Sequence, residues 1–178
     1  MTHPPKTLAG KWEQRWHPLR QEWVVYSAHR QTRPWQGATE KFTADAPPYD
    51  PDCYLCPGNV RISGQRNPNY EDVFVFDNDH PVVGMNAPAV SPSRVHPTLY
   101  RKARAEGVAR VVCYDPRHNV TLSDVPLDSV RKVLATWREQ VRELAAVSNV
   151  RFVLIFENKG EITGTSNPHP HCQIYATN

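Results

Sequence analysis

Two histidines and a glutamine at alternate positions, near the end of the 178-residue chain, are residues that could carry out chemistry. Residues 167–173 read Asn-Pro-His-Pro-His-Cys-Gln. In an extended strand His169, His171 and Gln173 would share one face, with the histidines about 7 Å apart. Pro168 and Pro170 fix φ and remove two backbone donors, which predicts a strand at a sheet edge. A neutral imidazole can attack phosphorus and an amide can hold a phosphoryl oxygen, although an isolated histidine pair is more often an ordinary surface feature.

A second set of residues has the chemistry of a metal site. Cys53-x-x-Cys56 places two thiols on one turn, and two imidazoles would complete a tetrahedral zinc site. The candidate imidazoles are His118 and His169, while a redox pair or incidental thiols are the alternatives. A closed four-ligand site would be structural, and here it would orient the strand that carries His171.

Composition limits the class of protein. A chain of 178 residues with 39% hydrophobic and 22% charged residues can build one globular core. Its net charge of +3 is too small and dispersed to indicate nucleic-acid binding. No apolar stretch is long enough for a membrane span and the first residues do not resemble a signal peptide, so a cytoplasmic protein is expected.

The elements that must position these residues form an α+β pattern. Strands are predicted at 22–26, 73–76, 108–114 and 150–156, followed by the histidine strand, with a long irregular connection over 84–107. One helix is predicted, with Ser123 and Asp124 as possible caps. Its apolar stripe recurs at steps of three and four: Leu127, Val130, Leu134, Trp137, Val141 and Leu144. The order predicts an antiparallel sheet with the helix packed on it.

Several motifs together resemble a known family. They are Ser27-Ala28-His29-Arg30, Arg33-Pro34-Trp35-Gln36-Gly37, Cys53-x-x-Cys56-x-Gly58-Asn59-x-Arg61, Phe76-x-Asn78-Asp79, and the histidine run after Phe156-Glu157-Asn158-Lys159-Gly160. Their types and order resemble the galactose-1-phosphate uridylyltransferase family of the histidine-triad superfamily. The resemblance implies a histidine-triad-like fold that forms one lobe of a two-lobed enzyme. Residues 1–178 are then expected to be the N-terminal lobe, without the C-terminal lobe.

The resemblance implies a nucleotidyltransferase of galactose metabolism. UDP-glucose would give its uridylyl group to a histidine, and galactose 1-phosphate would then take that group as UDP-galactose. The family is dimeric with active sites shared between subunits, so a homodimer is expected.

By motif position, the resemblance also assigns roles to residues. His171 corresponds to the nucleophile and Gln173 to the amide that holds the phosphoryl oxygens. The structural zinc ligands correspond to Cys53, Cys56, His118 and His169. The implied substrate-binding residues are Leu55, Ile62 and Phe76 at the base, Asn78 and Asp79 at the uridine and ribose, Asn158, Gly164, Thr165 and Ser166 at the phosphates, and Arg30 and Arg33, which in the family face the partner's active site. Cys172 stands where many members carry glycine.

Two other functions remain as alternatives. A single-lobe histidine-triad hydrolase or nucleotidyl phosphorylase is one, although those hydrolases carry a third histidine where this chain has Gln173. A non-catalytic, zinc-stabilised binding module is the other, and in it His171 would have no chemical role.

Overall fold

The computed structural model of the chain describes residues 12–28, 30, 46–91, 95–96, 98–160 and 163–178. Seven strands and one helix lie within those residues: β1 Trp12–His17, β2 Glu22–Ser27, β3 Phe74–Asp77, β4 Lys102–Arg104, β5 Gly107–Cys113, α1 Leu127–Ala145, β6 Phe152–Phe156 and β7 His171–Thr177. The strands form two antiparallel sheets, which confirms the predicted α+β class. In the part of the chain that is described, no helix is both long and apolar enough to cross a membrane.

The larger sheet has the strand order β3-β5-β7-β6, with all neighbours antiparallel. The histidine strand β7 therefore lies between two partners, and its predicted position at a sheet edge is wrong. Pro168 and Pro170 are compatible with a central strand because both precede His171, the first residue in the ladder. His169 also precedes the strand, so it is not part of the predicted row on one face.

The two faces of this sheet have different partners. One face packs against α1 in a core of Val112, Tyr114, Val133, Leu144, Val150, Cys172, Ile174 and Ala176. The other face packs against the loop that carries Cys53 and Cys56, here called the cysteine loop. The cluster between them consists of Cys53, Leu55, Cys56, Val111 and Cys113. Cys172 faces the helix and His171 faces the loop, because neighbouring residues of a strand point to opposite sides.

The orientation of α1 differs from the predicted apolar stripe. Leu127 and Leu134 are 64% and 52% exposed, and the buried residues of the helix are Val133, Gln140 and Leu144. Arg110 of β5 donates to the side chains of Gln140 and Glu143, which satisfies the buried amide of Gln140 on the face toward the sheet. Trp137 and Leu144 of the predicted stripe pack in the core, whereas Leu127, Leu134 and Val141 lie toward solvent.

The start of α1 also differs from prediction. Pro126 occupies the N-cap position and no side chain caps the helix. Asp124 instead accepts hydrogen bonds from the backbone and hydroxyl of Thr121. Its carboxylate closes the turn before the helix and is not available to the first helical N–H groups.

The smaller sheet, β2-β1-β4, contains two strands that were not predicted. β1 was missed, and β4 lies inside the predicted irregular connection. In β1 the carboxylate of Glu13 is buried and pairs with Arg15 and Lys102. These ion pairs explain why a charged residue occupies an inward position of the strand.

Candidate active site

The side chains of β7 that face the cysteine loop are the centre of the candidate site. His171, Gln173 and Tyr175 stand at alternate positions, opposite Cys113, Val111 and Ala109 of β5. His171 and Gln173 are buried at 8% and 6% exposure. The row therefore begins two residues later than predicted, and Tyr175 takes the place at its end.

The orientation of His171 is fixed by the residue that precedes the strand. Nδ1 of His171 lies 2.7 Å from the carbonyl oxygen of His169, to which an Nδ1–H donates. The carbonyl oxygen of Pro170 in turn accepts a hydrogen bond from the backbone of Tyr114, at 3.0 Å. Because Nδ1 carries the proton, the free ring lone pair of His171 is on Nε2.

A cleft on one side of His171 brings together the residues predicted to bind the nucleoside. Its lining residues are Tyr54, Leu55, Ile62, Phe76, Asn78, Asp79, His80, Val111, His171 and Gln173. Apolar walls with carboxylate and amide groups at one end suit a base attached to a sugar with hydroxyl groups. All five residues predicted for the base, uridine and ribose lie in this cleft.

Arg61 forms part of the support of that cleft, a role that motif matching did not assign to it. Its guanidinium carbon lies 4.2 Å from the centre of the Phe76 ring. Its Nε lies 3.4 Å from Oδ2 of Asp79, and the two side chains are only 7% and 11% exposed. The guanidinium thus contacts both a predicted base-binding ring and the predicted ribose-binding carboxylate.

A second cavity, on the other side of His171, brings together the predicted phosphate-binding residues. It is lined by Arg30, Phe156, Asn158, Gly164, Thr165, Ser166, His171, Gln173 and Tyr175. Gly164 has a φ of +73°, a conformation that favours glycine and lets the backbone approach closely. His171 and Gln173 line both cavities, so they stand between the residues predicted to bind the nucleoside and those predicted to bind the phosphates.

Arg30 lies in the cavity of its own chain. Its Nη1 donates to the carbonyl oxygen of His80 and to the hydroxyl of Tyr175. The expectation that Arg30 reaches a partner's active site stays a prediction. Arg33 lies outside the described residues.

The four predicted metal ligands form one buried cluster. The ligand atoms of Cys53, Cys56, His118 and His169 all lie within 4.8 Å of one another. Sγ of Cys56 is 3.7 Å from Nδ1 of His118 and 3.6 Å from Nδ1 of His169. Tetrahedral zinc, with bonds of about 2.3 Å to sulfur and about 2.0 Å to nitrogen, requires sulfur–nitrogen separations of about 3.6 Å. The cluster could therefore hold a metal ion.

The ionisation of these groups also suits a cation. Burial lowers the pKa of His169 to about 3 and lowers that of His118, so both imidazoles are neutral, as metal ligands must be. Burial raises the pKa of the Cys56 thiol to about 12. A bound cation would therefore be needed to keep this sulfur as a thiolate near neutral pH.

Neighbouring groups hold the ligands in this arrangement. Nε2 of His169 lies 3.0 Å from both the carbonyl oxygen of Asp115 and the hydroxyl of Tyr70, which leaves Nδ1 for the metal. The amides of Asn59 and Asn67 donate to carbonyl oxygens of the cysteine loop, including those of Cys53 and Cys56. Asn59 lies in one of the family motifs, where no role was assigned to it, whereas Asn67 and Tyr70 are supporting residues that the sequence pattern did not reveal.

His169 connects the two parts of the site. Its ring belongs to the cysteine–histidine cluster and its carbonyl oxygen holds His171. A metal ion in the cluster would act on His171 through this residue, as the predicted orienting role requires. The cluster has four protein ligands, so a tetrahedral ion there would have no open position for a substrate.

Comparison with known proteins agrees with this arrangement. A family profile described as "Galactose-1-phosphate uridyl transferase, N-terminal domain" matches residues 6–178. The chain belongs to this family. Galactose-1-phosphate uridylyltransferases of Haemophilus influenzae and Rattus norvegicus are 45% and 46% identical to it, over 91% and 92% of the chain. A solved structure named "Structure of uridylyltransferase" is 28% identical, with a TM-score of 0.68 over 93% of the chain and 45% of its own.

The family members that match are longer than this chain. It spans 46% of the length of the Haemophilus influenzae relative and 42% of the Rattus norvegicus relative. The match therefore establishes the family and the fold of this segment, and the activity of a whole enzyme is a separate inference.

Proposed function

We propose that this chain carries the nucleophile half of an enzyme that moves a uridylyl group from UDP-glucose to galactose 1-phosphate. The observation that carries the proposal is the arrangement of His171. Its Nδ1–H donates to a backbone carbonyl, and its ring lines both the nucleoside-type cleft and the phosphate-type cavity. The names of the family relatives supply the substrate class.

The chemistry consists of two displacements at one phosphorus atom. Nε2 of His171 attacks the phosphorus next to uridine, an N–P bond forms, and the bond to the bridging oxygen breaks, which releases glucose 1-phosphate. A phosphate oxygen of galactose 1-phosphate then attacks the same phosphorus and the N–P bond breaks, which gives UDP-galactose. The carbonyl oxygen of His169 stabilises the positive charge that the ring carries while uridylylated, because Nδ1 remains a donor.

The other predicted residues would position the substrates, since phosphoryl-type transfer depends mainly on alignment and charge stabilisation. In this proposal Leu55, Ile62 and Phe76 hold the base, while Asn78 and Asp79 bind the uridine and its ribose. Asn158 and residues 164–166 contact the phosphates, and Gln173 donates to the oxygens of the transferred group. Their shared position around His171 supports these roles.

We propose that zinc occupies the cysteine–histidine cluster and has a structural role. The spacing of Cys56 from His118 and His169 supports zinc, since thiolate and imidazole ligands at this separation suit its size and geometry. When bound, the ion would tie the cysteine loop to the backbone that precedes β7. His169 would then hold its carbonyl oxygen in place for His171.

Intact-protein mass spectrometry tests the first displacement. The zinc-loaded chain is mixed with UDP-glucose and sampled over time, and glucose 1-phosphate is measured in the same samples. We expect one uridylyl group per chain and one equivalent of released glucose 1-phosphate. His171→Asn should remove both, because an amide cannot replace the imidazole lone pair.

His96→Asn is the matched control. His96 is exposed and has a φ of +45°, which asparagine tolerates, so the same substitution there should leave labelling unchanged. A label that persists in His171→Asn would exclude His171 as the nucleophile. A folded, zinc-bound chain that takes up no label would favour the non-catalytic binding module.

Gln173→His separates transfer from hydrolysis. An amide mainly holds the intermediate, whereas a protonated imidazole could assist the departure of a leaving group. We expect the uridylyl-enzyme of this variant to lose its label to water faster than the unmodified chain does. Equal rates of loss would refute the reasoning that glutamine at this position favours transfer.

We also propose that residues 1–178 correspond to the N-terminal lobe of a cytoplasmic, homodimeric enzyme. The lengths of the relatives support the assignment to an N-terminal lobe, and four free cysteines are consistent with a reducing compartment.

The exposed apolar surface of β2 supports the homodimer. Three of its neighbouring residues are more than 40% exposed: Trp23, Val24 and Val25. Sedimentation at several concentrations should show a dimer that Val24→Lys weakens, and a monomer throughout would exclude it.

A further inference from the structure

The side-chain amide of Gln173 can present either of two chemically opposite ends to a phosphate. Its nitrogen donates hydrogen bonds and would attract phosphoryl oxygens, whereas its oxygen would repel them. In the structure, Oε1 of Gln173 lies 3.1 Å from the hydroxyl of Tyr175 and 3.4 Å from Nδ2 of Asn78. Which end faces the cavity therefore depends on whether these two neighbours must act as donors.

A backbone hydrogen bond determines which way the side-chain amide of Asn78 is oriented. Oδ1 of Asn78 lies 2.9 Å from the backbone nitrogen of His80, an N–H group that can only donate. Oδ1 must consequently accept this bond, and the other end of the same amide, Nδ2, points to Gln173. Nδ2 of Asn78 thus donates a hydrogen bond, and Oε1 of Gln173 accepts it.

A hydrogen bond from Arg30 determines the direction in which the Tyr175 hydroxyl donates. Nη1 of Arg30, which can only donate, lies 3.4 Å from the Tyr175 hydroxyl and 3.2 Å from the carbonyl oxygen of His80. The hydroxyl oxygen accepts from Arg30, so its hydrogen is directed to Oε1 of Gln173. The ring of Tyr175 is held edge-on by Phe156, with 4.9 Å between ring centres.

Two series of hydrogen bonds, one through Asn78 and one through Tyr175, end at Oε1 of Gln173. Each begins at a group that can act only as a donor: the backbone N–H of His80 or the guanidinium of Arg30. The N–H group of His80 fixes Asn78, and the carbonyl group of His80 accepts from Arg30, which fixes Tyr175. We propose that Tyr175 is a positioning residue which, together with Asn78, holds the Gln173 amide with its N–H groups toward the reacting phosphate. This inference rests on the proposed function, because it gives Tyr175 a role in the uridylyl transfer at His171.

Tyr175→Phe tests the proposal because it removes the hydroxyl and keeps the ring that packs against Phe156. Tyr100→Phe is the matched control, since Tyr100 is half exposed and does not line either cavity of the candidate site. The first measurement is the ¹⁵N–¹H spectrum of the side-chain amides, with the Gln173 pair identified as the signal that Gln173→Glu removes. We expect Tyr175→Phe to move this pair and Tyr100→Phe to leave it in place.

The second measurement is the rate of His171 labelling at saturating UDP-glucose. Tyr175→Phe removes the hydrogen bond that the hydroxyl donates to Gln173 and the long one that it accepts from Arg30, and labelling should slow by about threefold to tenfold. UMP serves as a non-reacting probe, and it should move the Gln173 pair less in Tyr175→Phe than in the unmodified chain.

The outcomes distinguish this inference from the proposed function. A Gln173 pair that does not move in Tyr175→Phe, or labelling at the unmodified rate, would overturn the role of Tyr175 while the uridylyltransferase proposal stands. If the unmodified chain takes up no label and UMP moves none of its resonances, the proposed function fails and this inference fails with it.

Discussion

The buried ion pair between Arg61 and Asp79 allows a quantitative prediction. At an effective dielectric constant of about 20, charges at the observed 3.4 Å attract by about 5 kcal/mol. Most of this attraction is offset by removing both groups from water. Nε of Arg61 is buried without a hydrogen bond, so the contact acts through charge rather than directed geometry. We therefore expect a coupling energy of about 2 kcal/mol between these residues.

A double-mutant cycle measures this coupling. The variants are Arg61→Met, Asp79→Asn and the pair together, and the measurement is urea unfolding with zinc held constant. Arg61→Met should lower the free energy of unfolding by about 3 kcal/mol, because it leaves a carboxylate buried without its partner and also removes the contact with the Phe76 ring. The loss of unfolding free energy in the double variant should be much smaller than the sum of the losses in the two single variants.

The pair Arg131 and Asp128 on α1 is the matched control. These side chains also form an ion pair, but they are 68% and 84% exposed and stand three residues apart on the helix. The same cycle there should give a coupling of at most about 0.5 kcal/mol. If the Arg61 and Asp79 cycle gives a value as small as the control, the guanidinium does not hold this carboxylate, and the account of the cleft wall is wrong.

Two further predictions concern the metal cluster and the backbone. Titration of zinc into the metal-free chain near neutral pH should release about two protons per ion, one from each coordinating thiol, and calorimetry in buffers of different ionisation enthalpy counts them. Cys56→Ser should reduce both this count and the affinity, whereas release of no protons would show that the ion binds elsewhere. Gly107→Ala should destabilise the chain by more than about 2 kcal/mol in urea unfolding, because its Cβ would clash with the backbone carbonyl oxygen of Ala176. Gly64 also has a positive φ, but a Cβ there would meet open space, so Gly64→Ala should lower the free energy of unfolding by only about 1 kcal/mol. Equal losses in the two variants would contradict the close approach of backbone at Gly107.

Three strands of the larger sheet, β3, β5 and β6, were predictable because their residues are mainly apolar and turn-forming or loop residues mark their ends. Val73 to Phe76 stops at an Asp-Asn-Asp cluster, and the strand begins and ends within one residue of its predicted limits. The family motifs also named most residues that line the two cavities. Local pattern and motif order are sufficient for these features.

Other features depend on contacts between residues distant in sequence. Glu13 in β1 is paired with the nearby Arg15 and also with Lys102, which comes from a strand far along the chain. The buried amide of Gln140 in α1 is paired with Arg110, which is thirty residues before it. Tyr175 could have been found by extending the alternation of His171 and Gln173 by one step. No local pattern reveals the guanidinium of Arg61 against Phe76.

In β7, the first three odd-numbered residues (171, 173 and 175) line the candidate site, and the even-numbered residues belong to the core beneath α1. A slip of one position against β5 would bury the imidazole of His171 under the helix and expose the thiol of Cys172 to the cavity. Insertion or deletion of a single residue in this strand would therefore destroy the site and the core at once. The backbone just before the strand is constrained as well, because the carbonyl oxygen of His169 holds His171 and its ring belongs to the metal cluster. From His169 to the end of β7 the site can therefore diversify by substitution alone.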